Sequence, residues 1–294
     1  MSKTLSLWCI EDGKPGHVNQ LRGVVAGLGK HAGLSICWIH VAKPWREQVI
    51  DSPKPDLILC AGHRTHWRAL YLKWRFRVAA VVLMKPSLPR CLFDLCLIPE
   101  HDKVPAGRRV VLTRGMLNSV ESVEADKQVG LVLIGGPSKH YDWSDTDMLR
   151  QLNQLFAALP DVSWTLTTSR RTPSSFVILL KVLPNAVKVV PIEATDSDWL
   201  KQRYRDCGTI WVSEDSASMV YESLSSGAAV GVLPVPRVAA SNVSTGIDRL
   251  LADGSVTSFS HLVNTGAMLP IKAPLQEADR IGHYLFDWLQ AKTS

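Results

Sequence analysis

Apolar residues fall along the chain in two series of short runs, separated by segments of helical or turn character. In the first series, residues 5–10, 35–41, 56–61, 78–84 and 92–98 read as strands, and 109–113 as a sixth. The runs are nearly continuous in Val, Ile, Leu and Cys, which is the pattern of strands buried on both faces of a parallel sheet. Residues 21–30 repeat apolar positions at helical spacing, and 99–108 read as a loop. The second series begins at Gln128, with strands at 129–134, 163–168, 187–190, 209–212 and 229–233. Helical patterns lie between them at 144–159, after Pro173, around 196–204 and at 216–225. Residues 118–127 carry charge without an apolar period and read as a linker, and an amphipathic pattern over 275–290 closes the chain. Two successive β/α series predict an α/β protein with two Rossmann-like, doubly wound domains facing across a cleft. The expected boundaries are 1–120 and 128–274, with 275–294 a C-terminal helix that could pack on either domain.

Composition narrows the class. A chain of 294 residues with 46% hydrophobic and 20% charged content is an ordinary globular protein. No apolar run approaches the ~20 residues that span a bilayer. Met1–Thr4 open no secretory pattern. The six cysteines contain no C-x-x-C and mostly sit in apolar runs, as expected of reduced thiols in a cytoplasmic protein. Charge is uneven: residues 1–118 hold 18 basic and 8 acidic residues, net +10, and the remainder is net −4. The first half is therefore expected to face an anionic partner.

The chemistry concentrates after strand ends. Asp12, Gly13, Lys14, Pro15, Gly16, His17, Asn19 and Gln20 follow the first strand and read as a loop at the carboxyl edge of a sheet, where ligands bind. The stretch matches neither the Walker pattern nor G-x-G-x-x-G. Gly62 and Arg64 form a second substrate-facing loop after the third strand. In the second half three strand ends share one chemistry. Gly135, Gly136, Ser138 and Lys139 follow one strand, Ser169, Arg170, Arg171 and Thr172 the next, and Ser213, Glu214, Asp215, Ser216 and Ser218 lead into a helix that carries Glu222. Ser213 or Asp215 is expected to cap that helix. Its terminus is an anion site through its N–H groups and dipole, and arginine adds bidentate pairing to phosphate oxygens. Together the loops fit a diphosphate, with Glu222 accepting from ribose hydroxyls. Asp145 and Asp147 lie at a predicted helix start and make no convincing metal motif, and Cys60, His63 and His66 lack a fourth ligand; no metal and no cofactor are expected.

Residues 64–77 interleave Arg64, Arg68, Lys73, Arg75 and Arg77 with Trp67, Tyr71, Trp74 and Phe76. A basic, aromatic helix suits an anionic membrane surface. No nucleic-acid reading module accompanies it, so nucleic acid is not expected as a partner.

Two Rossmann-like units with donor contacts in the second resemble the two-domain GT-B glycosyltransferases. More specifically, Asp12 to Gln20, Leu133 to Gly136, and Ser213 to Met219 resemble the ELM1-like family, named for a plant mitochondrial-fission factor. The resemblance implies a nucleotide-sugar bound through Gly135, Gly136, Ser169, Arg170, Ser213, Ser216 and Glu222, and an acceptor near Asp12, Lys14 and His17, without a metal. The expected activity is metal-independent sugar transfer to an envelope or lipid-linked acceptor at the cytoplasmic membrane face. Arg170, Lys139 and the Ser216 terminus would stabilise the leaving diphosphate, with His17 or Asp12 as base. A non-catalytic adaptor and a nucleotide-sugar epimerase are the alternatives.

Overall fold

A computed structural model of the chain describes residues 4–239 and 241–293. Met1–Lys3, on which the reading of the amino terminus partly rests, lie outside the described residues. The chain divides into two compact units, Met1–Ser119 with Gln276–Ser294, and Val120–Leu275.

Unit 1 runs β1 (Leu5–Glu11), α1 (Pro15–Gly29), β2 (Leu34–His40), α2 (Trp45–Gln48), β3 (Leu57–Ala61), α3 (His66–Phe76), β4 (Ala79–Leu83), β5 (Leu95–Pro99) and β6 (Val110–Thr113). Its strands pair in parallel in the order β2-β1-β3-β4-β5-β6. Alternation along each strand fills two cores at once. Leu7, Cys9, Leu57 and Leu59 face one layer, and Trp8, Ile10, Ile58 and Cys60 the other. This is why the runs read as continuously apolar.

Unit 2 runs β7 (Asp126–Leu133), α4 (Asp145–Ala158), β8 (Ser163–Thr167), α5 (Ser174–Leu179), β9 (Lys188–Val190), α6 (Ser197–Asp206), β10 (Cys207–Ser213), α7 (Ala217–Ser226), β11 (Ala229–Leu233), α8 (Asn242–Ala252), β12 (Thr257–Ser258) and α9 (Phe259–Thr265). Its parallel order is β12-β11-β10-β7-β8-β9.

The closing helix α10 (Glu277–Thr293) returns to unit 1 and packs along α1. The approach is backbone to backbone. A Cβ on Gly27 would lie 1.9 Å from the Ala278 carbonyl oxygen, and one on Gly282 would lie 2.1 Å from the Gly27 carbonyl carbon. Glu277, buried, accepts the Arg114 N–H at 2.9 Å and pairs with Arg280, whose guanidinium also donates to the Leu112 carbonyl.

The structure moves several predicted boundaries. α1 begins at Pro15 rather than at residue 21, because proline at a first helical position needs no partner for its missing N–H. Gly16, His17, Asn19 and Gln20 are therefore helical, and the loop proper is residues 12–14. β5 starts at Leu95 because residues 90–92 form a 3-10 turn and the Asp94 carboxylate accepts the Ala80 N–H. Asp126 and Lys127, read as linker, open β7. Asp145 and Asp147 sit in the first turn of α4 behind the Ser144 N-cap.

Candidate functional site

In unit 1, β1 and β3 are neighbours, but the chain leaves β1 toward β2 on one side and returns to β3 on the other. That reversal opens a crevice at the carboxyl ends of β1 and β3, where ligands of open α/β sheets bind. Asp12 follows β1 there, and its carboxylate is fully buried. Its Oδ1 lies 2.8 Å from His17 Nδ1, one turn into α1. Its Oδ2 is buried with no hydrogen-bond partner among the described residues. Burial pushes the Asp12 carboxyl up. The hydrogen bond to His17, the Lys14 N–H and the charges of His17 and Lys14 outweigh burial and hold it below the ordinary carboxylate value. An ionised carboxylate only accepts, so Nδ1 of the partly exposed ring carries the proton of this hydrogen bond.

Gly62, at the end of β3, makes this pair possible. Its φ is +92°, and a Cβ there would lie 2.4 Å from His17 Nδ1 and 2.8 Å from Asp12 Oδ2. Its carbonyl accepts the Thr65 N–H and hydroxyl. Gly13, Lys14, Gly16 and Arg64 are exposed around the pair, Asn19 is half-buried, and Gln20 is buried. Two neighbours were not foreseen. Glu11 accepts the Gly13 N–H, and His40 Nε2 lies 3.9 Å from Glu11 Oε1. Both are polar residues closing apolar strands, which was the available signal. Cys60 is buried in the strand, and burial pushes its thiol up to about 12.

In unit 2 the same reversal falls between β7 and β10. Here Asp215 is the hub. Its side chain is fully buried and accepts from the Gly136 N–H (3.0 Å), the Ser213 hydroxyl (2.7 Å) and Arg171 (2.7 Å). Ser213 Oγ in turn accepts the Gly135 N–H at 2.7 Å. A Cβ on Gly135 would lie 2.0 Å from Asp215 Oδ2, so glycine is required for the carboxylate to enter. Ser169 and Thr172 hydroxyls donate to the Gly135 carbonyl at 3.0 and 2.5 Å. Arg171 also donates to the Gly136 carbonyl at 2.7 Å.

Three expectations change in this network. Ser213 and Asp215 do not cap α7; they tie β10 to β7. The α7 N-cap is Ser216, without a side-chain cap, although Ser216 and Ala217 are buried. The guanidinium that pairs with Asp215 is that of Arg171, although its side chain is 40% exposed; Arg170, Ser138 and Lys139 are exposed too. Glu222 is not a free acceptor, because a buried carboxylate needs a donor, and Tyr204 Oη supplies one at 3.1 Å. Ser218 is half-buried in the first turn of α7. Glu214 accepts from Tyr141 and from Arg237, which forms a two-point pair with Asp248 at 2.7 and 3.0 Å. Arg237 was not singled out from sequence, because its partners lie 23 and 11 positions away.

Two six-stranded parallel sheets flanked by helices, each with polar residues gathered at its point of reversal, define a GT-B-like α/β protein. The model of the mitochondrial fission ELM1 family matches residues 15–289, and the chain belongs to that family. An uncharacterized protein, RP120, from Rickettsia prowazekii (strain Madrid E) is 23% identical over 96% of this chain and 98% of its own length. Among solved structures, the UDP-GlcNAc 2-epimerase of Neisseria meningitidis bound to UDP-GlcNAc superposes with a TM-score of 0.59 at 12% identity, covering 98% of this chain and 100% of that one. The glycotransferase of kitacinnamycin superposes with a TM-score of 0.57 at 13% identity, covering 98% and 99%. At these identities the likeness is one of fold.

Proposed function

We propose that this chain is a GT-B-type glycosyltransferase whose second unit binds a nucleotide-sugar. One observation carries the reading: the amino terminus of α7 is buried at the β7/β10 reversal, yet no side chain caps it. Helical N–H groups without a side-chain cap suit a bound anion. Ser216 is the N-cap of that terminus and Ser218 lies in its first turn, and Lys139 and Arg170, exposed after β7 and β8, are the further partners proposed for the diphosphate. The fold shared with a UDP-GlcNAc-bound epimerase and a glycotransferase supports the same class of ligand.

In this reading His17 Nε2 withdraws the proton of an acceptor hydroxyl while Asp12 holds the Nδ1–H and the imidazolium charge. The acceptor oxygen bonds to the anomeric carbon as the bond from that carbon to the diphosphate oxygen breaks. The negative charge left on the diphosphate is met by the α7 terminus, Lys139 and Arg170. The net +9 of unit 1 favours an anionic acceptor, and a lipid-linked or envelope glycan at the cytoplasmic membrane face is the acceptor proposed.

Thermal shift against UDP-, GDP-, CMP- and dTDP-sugars tests the donor site. A ligand present at about 100 times its Kd should add ~2.7 kcal/mol to the stability of unit 2. Ser218→Ala should weaken that shift. No shift with any nucleotide would leave the adaptor reading. The likeness to an epimerase favours a second reaction, which is told apart by turnover of the nucleotide-sugar with no acceptor present.

A further inference from the structure

Helix α3 is built inside out. At 100° per residue, Ala69 and Leu72 point to one side and are fully buried, while Trp67, Tyr71 and Trp74 point to the opposite side within about 60° of one another. These three side chains are 71%, 45% and 85% exposed. Aromatic side chains ordinarily carry the burial of a helix; here they form its outermost stripe.

The surroundings are cationic. Arg64, Arg75 and Arg77 are exposed, and residues 64–77 contain no Asp or Glu. The acidic neighbour, Asp94, is already paired with Lys73 at 3.0 Å and Lys292 at 3.2 Å. Leu92, 40% exposed, adds apolar surface beside Lys73, whose ammonium donates to the Leu92 carbonyl. Arg68 donates to the Val41 and Lys43 carbonyls and Tyr71 meets the Trp45 ring edge-on at 6.1 Å, tying α3 to the segment that joins β2 and α2.

We propose that the outer face of α3 is a membrane-contact surface that seats Trp67 and Trp74 at the headgroup level of an anionic phospholipid bilayer. Indole rings favour that depth, and flanking guanidiniums meet lipid phosphates. At 11 residues α3 is about 16 Å long, far short of the ~30 Å hydrocarbon core, so the contact is interfacial. A lipid surface fits the stripe better than nucleic acid does, since the guanidiniums flank aromatic rings exposed on the outer face of a helix. The inference is independent of sugar transfer: vesicle binding needs no nucleotide, and its failure leaves the donor-binding reading in place.

The experiment is co-sedimentation of the full chain with vesicles of phosphatidylcholine alone and with equimolar phosphatidylglycerol. Binding to the mixed vesicles is expected, falling as salt rises. Trp67→Ala with Trp74→Ala should weaken it at least about tenfold. Arg75→Gln should weaken it about fivefold. Brominated lipid should quench tryptophan emission in the wild type and not in the double variant. Both tryptophans are exposed, so circular dichroism and Tm should be unchanged. No binding at low salt, equal binding by the double variant, or equal binding to pure phosphatidylcholine would overturn the proposal. A self-association or a nucleic-acid complex lost in the double variant, with no vesicle binding, would overturn it in favour of that occupant.

Discussion

Gly62→Ala is the sharpest test of how unit 1 holds Asp12 against His17. The methyl group would enter space 2.4 Å from His17 Nδ1 and 2.8 Å from Asp12 Oδ2, in a backbone at φ +92°. The backbone strain alone is about 1–3 kcal/mol for a residue with a Cβ, because φ +92° with ψ 145° is a region kept essentially to glycine. Crowding in a packed site adds about 1–3 kcal/mol, because His17 must swing away and leave the buried Asp12 without its side-chain donor. The sum is ~2–6 kcal/mol, read by urea denaturation of the unit 1 transition. A double-mutant cycle separates the two parts. In a His17→Ala background the two closest contacts are gone and only that with Asp12 Oδ2 remains, so Gly62→Ala should cost less, leaving a coupling of about 1–2 kcal/mol. If Gly62→Ala costs the same in both backgrounds, the glycine does not serve the pair. If it costs less than about 0.5 kcal/mol, the packing argument itself is wrong.

Asp215→Asn places an amide NH2 against donors and should destabilise unit 2 by about 2–4 kcal/mol in denaturant titration, since one of three acceptor contacts becomes a clash. Arg171→Ala should cost about 1–3 kcal/mol, whereas exposed Arg170→Ala should leave Tm unchanged and lower only nucleotide affinity. Gly282→Ala should separate α10 from α1 and destabilise unit 1 by about 1–3 kcal/mol, measured as a fall in Tm. Acid should weaken unit 1 in two stages. Burial and the charge of His63 hold His66 below its ordinary value of 6.5, so its contribution is complete above that pH and is lost as pH falls through the folded value. The depressed carboxyl of Asp12 acts in the same direction at lower pH, complete above its ordinary 3.8 and lost below it. His66→Asn should abolish the first stage in urea titrations run across that range.

The strands were legible because both faces of each sheet are buried, so apolarity alone marks them. β12 was not, being two residues long, and α8 and α9 were not read from their patterns. The start of α1 was missed because Pro15 and Gly16 read as breakers, although proline suits a first helical position. Asp12 and His17 were legible as residue types within one turn of each other. Their pairing was not, since it needs β3 beside β1 and a positive φ at Gly62. The Asp215 network was hidden for a related reason: its donors lie 79 and 44 positions away and meet it only once β10 pairs with β7.

Asp215 also changes what the unit 2 loops can offer an anion. Read as a list, Lys139, Arg170, Arg171 and the serines suggest a basic cradle. In the folded unit the carboxylate of Asp215 sits where a Gly135 side chain would be and takes the charge of Arg171, while Glu214 and Asp248 take that of Arg237. Lys139, Arg170 and Arg171 against Glu214 and Asp215 leave a formal charge of only +1 on the loops themselves. In the proposed reading, attraction for a diphosphate rests less on Arg171 than on the uncapped α7 terminus, whose N–H groups are fixed by the helix and cost no reorganisation. The internal ion pairs have a different task. They lock Gly135 and Gly136 to Ser213 and Asp215 at the end of β10, next to the α7 terminus at the β7/β10 reversal.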